Sequence, residues 1–403
     1  MNLNIIFFYL IVSAILYLEP VEMIAGFTFG IVWKLILMFF LFFPVFFKVL
    51  KEKQIEMFAF FSILLSFKIL VSYTSLDYFS HTLTLFTKEM MFPLLYLFFI
   101  QRIEKKENLI FLVKHFSIII ILSFLPYMLG ILEPFAHGYD LAEFGHSGEY
   151  GLIGVFIKPH SAAITLAFAM VIVTTHIKKE NGNFENIFYI GLLLFGFYAS
   201  ILTYVRTGLT MYVLVIFYLY LRNINIKKIV LLAITSLFIF GIGTYMYQTN
   251  EIIQMRLNDK NKYNSNGGNG SGRLNFWKNA IENWADDEPS VIYIGLGYDY
   301  ALEKMNEDVG QFIFAHNQYV QTLQQEGLIG LSFFLITLFY IYRFISKYRE
   351  SQYYVTANAI FIALLIEYMF QGGFFFPMVL FLSAYLVIIK KDVEETLNKD
   401  NNE

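Results

Sequence analysis

The sequence predicts an all-α, polytopic integral membrane protein with about twelve transmembrane helices and one large outer loop. Three observations carry that reading. Of the 403 residues, 57% are hydrophobic and only 15% are charged, against about 25% charged in ordinary soluble domains. A soluble fold of this size could not cover its surface with so few charges. Aromatic residues reach 19%, with 46 Phe and 28 Tyr; Phe suits lipid-facing helices and Tyr suits the membrane–water interface. Apolar runs of about 20 residues also recur along the whole chain, which is the length a bilayer requires.

The runs fall at 4–19, 28–47, 56–74, 82–100, 109–129, 160–177, 187–205, 207–221, 229–247, 327–345, 357–371 and 374–389. Met1 to Pro20 carries no Lys or Arg and no small-residue cleavage site, so it reads as a first span rather than a signal peptide. The last two runs could instead form one re-entrant hairpin. Basic residues then set the topology. Lys48, Lys51 and Lys53 follow the second run; Arg102, Lys105 and Lys106 follow the fourth; Lys178 and Lys179 follow the sixth. Arg222, Lys227 and Lys228 follow the eighth, Arg343, Lys347 and Arg349 the tenth, and Lys390 and Lys391 the last. Every second linker is basic, the pattern expected of cytoplasmic loops. Both termini are therefore expected in the cytoplasm. Spans one to nine occupy 1–247, with an outer loop at 130–159. The large outer loop is 248–326, between spans nine and ten; the last three spans occupy 327–391 and a cytoplasmic tail 392–403.

Composition also excludes function classes. A net charge of −3 argues against a nucleic-acid partner. With no cysteine, disulfides, thiolate metal sites and Cys nucleophiles are ruled out. The large loop is acidic around Asp286, Asp287 and Glu288, and Asn264–Gly272 reads as a flexible linker. Asp259 and Asn261 hint at a calcium loop, but the required Gly and terminal Glu are missing. No phosphate-binding glycine loop and no zinc motif is present, so neither a metal nor a cofactor is expected.

Charges inside the apolar runs are costly and usually functional. Lys34, Lys68, Lys88, Glu89, Arg206 and Glu367 fall there, all towards the expected outer ends. One reading is snorkelling or internal ion pairing, such as Glu367 with a lysine; the other is a shared polar cavity. Arg206 opens Arg206-Thr207-Gly208 at the tight turn between spans seven and eight. Its guanidinium cannot shed its proton, and a fixed cation at such a corner suits a phosphate or carboxylate. A structural helix-end contact is the alternative. Before span ten, Asn317, Gln321 and Gln324 would share one helical face, His316 is the titratable group at the start, and Gly327 turns the segment into the membrane. His316 is either a base or a hydrogen-bonding anchor. Pro159 suits a first helical turn, which puts Lys158 and His160 beside a helix N-terminus, where anions are favoured. An ordinary helix start is the other reading.

Together these motifs resemble the O-antigen polymerase and O-antigen ligase superfamily of bacterial membrane glycosyltransferases. The resemblance rests on Gly154-x-Phe156-x-x-Pro159, on Arg206-Thr207-Gly208, and on Gly295-Leu296-Gly297-Tyr298-Asp299 late in a large outer loop. The most specific part is His316-Asn317 followed by Glu326-Gly327 and Gly330. His160 departs from the pattern, in which Asn commonly follows the proline. The resemblance implies an undecaprenyl-diphosphate-linked glycan as donor and metal-independent, inverting transfer at the outer face of the bacterial inner membrane. It implies a possible chain-length regulator as partner, besides the lipid bilayer. Leaving diphosphate needs fixed cations and the acceptor hydroxyl needs a base. Arg206 is expected on the diphosphate, with Arg273 or Arg256 as a second cation, and Lys158, His160 and Asn317 as further binding residues. His316 is expected to be the base or to orient the acceptor.

Polymerisation of repeat units into O-antigen or capsular polysaccharide is the favoured function, since nothing marks a core-binding module. Ligation of the glycan to lipid A-core or protein is one alternative. A polysaccharide or lipid transporter is another, although the repeated halves usual in transporters are missing.

Overall fold

The computed structural model describes residues 22–24, 27–52, 55–71, 79–134, 136, 138, 150–177, 182–222, 241, 244, 248, 273–310, 312–372 and 376–400. Apart from a short antiparallel pair, Glu22–Ile24 with Phe27–Thr28, these residues form helices and their connections. Four helical stretches are long and apolar enough to cross a membrane: Lys106–Met128, Pro159–His176, Asn183–Leu202 and Gln318–Lys347. Shorter apolar helices lie at Met57–Leu70, Arg206–Leu221 and Tyr354–Phe370. The chain is a multi-pass membrane protein. The expected runs 4–19 and, but for isolated residues, 229–247 lie outside the described residues, as does Arg256. The described residues of the other expected runs are helical, apart from some end residues and turns such as 123–124 and 203–204.

The chain separates into two compact units. The first comprises Met1–Ile119 and Arg273–Glu403. It opens with α1 (Phe29–Ile36), a π-helical stretch Leu37–Phe42, and α2 (Phe43–Glu52). Pro44 explains the wide turn: its ring would crowd the carbonyl four residues earlier, and the Phe43 N–H instead reaches the Met38 carbonyl. Then come α3 (Met57–Val71), α4 (Phe79–Arg102) and α5 (Lys106–Leu122), which runs on past the unit boundary. Pro93 inside α4 cannot donate to the Glu89 carbonyl one turn back.

The rings of Phe58, Tyr96 and Phe344 meet edge to face with centroids 4.8–6.0 Å apart, tying α3 and α4 to the long helix Gln318–Lys347. At one end of this unit, linkers that share an expected side come together. Lys390 pairs with Glu56 at 2.9 Å, and Lys106 pairs with Asp392 at 2.8 Å and Glu395 at 2.7 Å. Ser351 Oγ also donates to Asp392. Burial raises the Asp392 proton affinity, but the hydrogen bonds from Lys106, Ser351 and Gln352 outweigh it and hold the carboxyl below its ordinary value.

The second unit is Ile120–Gly272. Its described helices are α6 (Leu125–Met128), α7 (Pro159–His176), α8 (Asn183–Leu202) and α9 (Arg206–Leu221). Helix α7 is buried without interruption from Ala162 to Val173, as expected of a helix apolar all round. Its small residues let neighbours approach closely. A Cβ on Gly208 would stand 2.5 Å from the Ala163 carbonyl oxygen.

The end of the large loop returns to the first unit as α10 (Arg273–Ala285), α11 (Pro289–Ile294) and α12 (Tyr298–Val309). Phe276, Ala280, Met305 and Ala315 form a small core of their own, with Trp277, Val309, Ile313 and Val320 packed around it. Helices α13 (Gln318–Lys347), α14 (Tyr354–Phe370) and α15 (Phe376–Asp400) complete the chain. Helix α15 extends through most of the expected tail.

Candidate functional site

In the second unit, Lys158 is the N-cap of α7 and Pro159 its first residue. The Gly154-x-Phe156 part of the motif is structural. Gly154 has φ +59 and leaves a Cβ 3.2 Å from the Phe124 ring, while Phe156 is buried against that ring at 5.9 Å between centroids. Lys158 itself is exposed.

The turn before α9 is built tightly. Thr203 is buried, donates through Oγ1 to the Ser200 carbonyl at 2.8 Å and accepts from the Val205 N–H at 3.2 Å. Tyr204 holds φ +57, a costly conformation for a bulky residue. The Leu202 carbonyl, left over at the end of α8, accepts from the Leu152 N–H at 2.8 Å. The outcome is that Arg206 becomes the exposed first residue of α9. Gly208 lies two residues on and touches Ala163, four residues into α7. The two helices therefore start at the same end of the unit, which is the end that carries Lys158, His160 and Arg206. A helix start has N–H groups without intrahelical partners and a positive dipole end. A cation added there is unfavourable on its own and suits an anionic ligand.

In the first unit, His316 stands just before α13 with φ +52, an unusual backbone state for a residue with a side chain. Its ring is hydrogen-bonded to the backbone of Gln371 at the end of α14, and lies 6.4 Å from the Phe276 ring. Burial, reinforced by the charge of nearby Arg273, pushes its pKa down to about 4. The imidazole is therefore neutral at pH 7. Arg273, the first residue of α10, therefore lies within electrostatic reach of His316. Asn317 caps α13: its Oδ1 accepts from Tyr319 N–H at 3.0 Å and Val320 N–H at 3.2 Å. Counting helical faces from Asn317 missed this, although Asn ahead of a helical run is a cap signal.

The rest of the motif is explained by close backbone contact. Gly327 breaks α13 with φ +65 and ψ −167, where the sequence placed the turn into the membrane. The helical half before the break would leave its last carbonyls unpaired. The Leu296 N–H fills the Gln324 carbonyl at 2.9 Å, and the Gly297 N–H fills that of Gln325 at 2.9 Å. This Gly295–Gly297 strap approaches so closely that a Cβ on Gly295 would overlap the Gln325 carbonyl. A Cβ on Gly330 would overlap the Glu326 side chain.

Glu326 is where the sequence reading needs correction. The buried pair in this region is Lys68 with Glu326 at 3.6 Å, not Glu367 with a lysine. Lys68 does not snorkel either, because its Nζ also donates to the Ile294 carbonyl at 2.7 Å. Glu367 is fully buried, and neither of its oxygens finds a hydrogen-bond partner among the described residues. Nothing in the residue pattern could have named the partner of Lys68. Lys34 and Lys88, two more expected charges, line one small pocket with Met91, Phe376 and Val379.

The fold and these sites define a polytopic helical membrane protein with two cation-bearing polar regions. Residues 191–335 match a family model described as O-Antigen ligase, and this part of the chain is similar to that family, in line with the O-antigen polymerase and ligase superfamily. No curated protein matches the chain.

Proposed function

We propose that the protein is a glycosyltransferase that polymerises undecaprenyl-diphosphate-linked repeat units into O-antigen or capsular polysaccharide. It would do so at the outer face of the bacterial inner membrane. The observation that carries this reading is that the matched segment contains both Arg206 and the His316–Gly330 motif. In the proposed step, the acceptor hydroxyl oxygen attacks the anomeric carbon of the donor as the bond from that carbon to the phosphate oxygen breaks. The electron pair leaves with the lipid diphosphate. A single displacement of this kind inverts the anomeric configuration and needs no metal.

Arg206, Lys158, His160 and the starts of α7 and α9 would neutralise the diphosphate. Neutral His316 can accept a hydrogen bond from the acceptor hydroxyl and would orient it, or take its proton if the charged substrate raises the imidazole pKa. Arg273 and Asn317 are assigned to substrate beside it, Asn317 through its amide group, since its oxygen serves the cap. Arg256 is a further cation candidate. A chain-length regulator would be a partner.

The test is glycan profiling of a deletion strain, complemented with wild type, Arg206→Ala or His316→Ala at matched membrane levels. Single repeat units on the final acceptor, uncorrected by either variant, support polymerisation. Long polymer stranded on the lipid carrier would identify a ligase instead. Normal chains from both variants would remove these residues from the site.

A further inference from the structure

We propose that Lys68 is a positioning residue for His316, holding the outer-loop strap and the first half of α13 in place. The inference rests on the role assigned to His316 above.

Lys68 is an intramembrane lysine on an otherwise apolar helix, and such a charge is costly without partners. Among its partners are two that belong to different parts of the loop. Its hydrogen bond to Ile294 takes up the last carbonyl of α11, next to the strap. Its ion pair engages Glu326, the last residue of α13 before the Gly327 break. One ammonium group thus joins α3 to both sides of the Gly295–Gly297 pairing. An apolar side chain would sit in α3 more cheaply but could make neither bond.

The first half of α13 acts as the lever. From Gln318 to Glu326 it is a continuous helix, about 13 Å long at 1.5 Å per residue, and His316 precedes its capped start. The far end is the one Lys68 holds. Glu89 of α4 also lies within electrostatic reach of Glu326. Without the Lys68 charge, Glu326 would lose this ion pair in a poorly solvated place, which weakens the hold on the far end of the lever.

The experiment uses the full chain, purified in detergent, as wild type, Lys68→Met, Lys68→Arg and Glu326→Gln. Amide hydrogen exchange is followed in 292–297, 314–320 and, as an internal reference, 378–389. The same variants complement the deletion strain for glycan chain length. Lys68→Met is expected to raise exchange about tenfold or more in the first two segments, as loss of a buried partner implies. The reference should stay protected, glycan chains should shorten, and Lys68→Arg should restore both readouts. Unchanged exchange at 314–320, with or without loss of glycan, overturns the proposal. Should Lys68→Met unprotect the reference as well, Glu326→Gln decides: local loss of protection supports positioning, and none overturns it. If exchange responds as expected but deleting the protein leaves the cell's glycans unchanged, the glycosyltransferase reading falls while the mechanical role of Lys68 stands.

Discussion

Gly295 and Gly327 meet backbone to backbone: a Cβ on Gly327 would stand 2.6 Å from the Gly295 nitrogen and 2.5 Å from the Tyr293 carbonyl. Both also hold positive φ, +91 and +65. Two independent constraints, conformational and steric, therefore exclude side chains at each position. Gly327→Ala should destabilise the protein by about 1–3 kcal/mol from the backbone conformation alone, with overlap adding to it. Thermal unfolding in detergent measures this, and a midpoint equal to wild type would refute the crossing. Gly310 also has positive φ, but a Cβ there meets nothing within 4 Å; Gly310→Ala should cost less than Gly327→Ala.

Asn317 separates a cap from a ligand. Asn317→Ala should lower stability by about 1 kcal/mol. Asn317→Asp retains an acceptor for the Tyr319 and Val320 N–H groups and should restore it. If Asp restores stability but not glycan length, the amide group of Asn317 also touches substrate.

The depressed pKa of His316 links folding to pH. Between the ordinary histidine value of 6.5 and about 4, the unfolded chain binds a proton that the folded chain refuses. Stability is unaffected by this group above pH 6.5 and falls as pH drops through that window, by at most about 1.4 kcal/mol per pH unit. His316→Gln should flatten this part of the stability curve. Melting temperatures at pH 7.5, 6, 5 and 4 would show it, and identical slopes for the two proteins would contradict the buried placement.

At the α7–α9 corner, charge and spacing can be varied apart. Arg206→Lys keeps the charge but loses the planar fork, and should retain part of the chain-elongating activity that Arg206→Ala loses. Gly208→Leu leaves every cation in place but forces α9 away from Ala163. It should impair elongation as severely as Arg206→Ala, read from glycan length at matched membrane levels. Full activity of Gly208→Leu would mean that the convergence of the helix starts is irrelevant to function.

Much of this was legible in the residues. Apolar runs mark helices because the bilayer leaves backbone groups few other solutions. Pro159 and Gly327 announced a helix start and a break through their own backbone preferences. Arg273 and His316 were named separately and lie within electrostatic reach of each other. What could not be read is pairing across long separations. Lys68 and Glu326 both carry a visible cost, yet that cost says only that a partner exists. Hydropathy also has no means of telling that Glu367 stays without a hydrogen-bonding neighbour among the described residues.

The Lys68 bond to Ile294 spans 226 residues of chain. At about 5–20 residues added per second, roughly 10–45 s separate the synthesis of the two ends. Throughout that interval α3 carries a lysine whose Ile294 and Glu326 partners do not yet exist, while lipid is one alternative surrounding. Early intermediates must therefore keep this helix near water, or near the insertion machinery, until the later chain arrives. Biogenesis, rather than the finished molecule, is then the stage most exposed to damage from truncation or slow translation beyond residue 294.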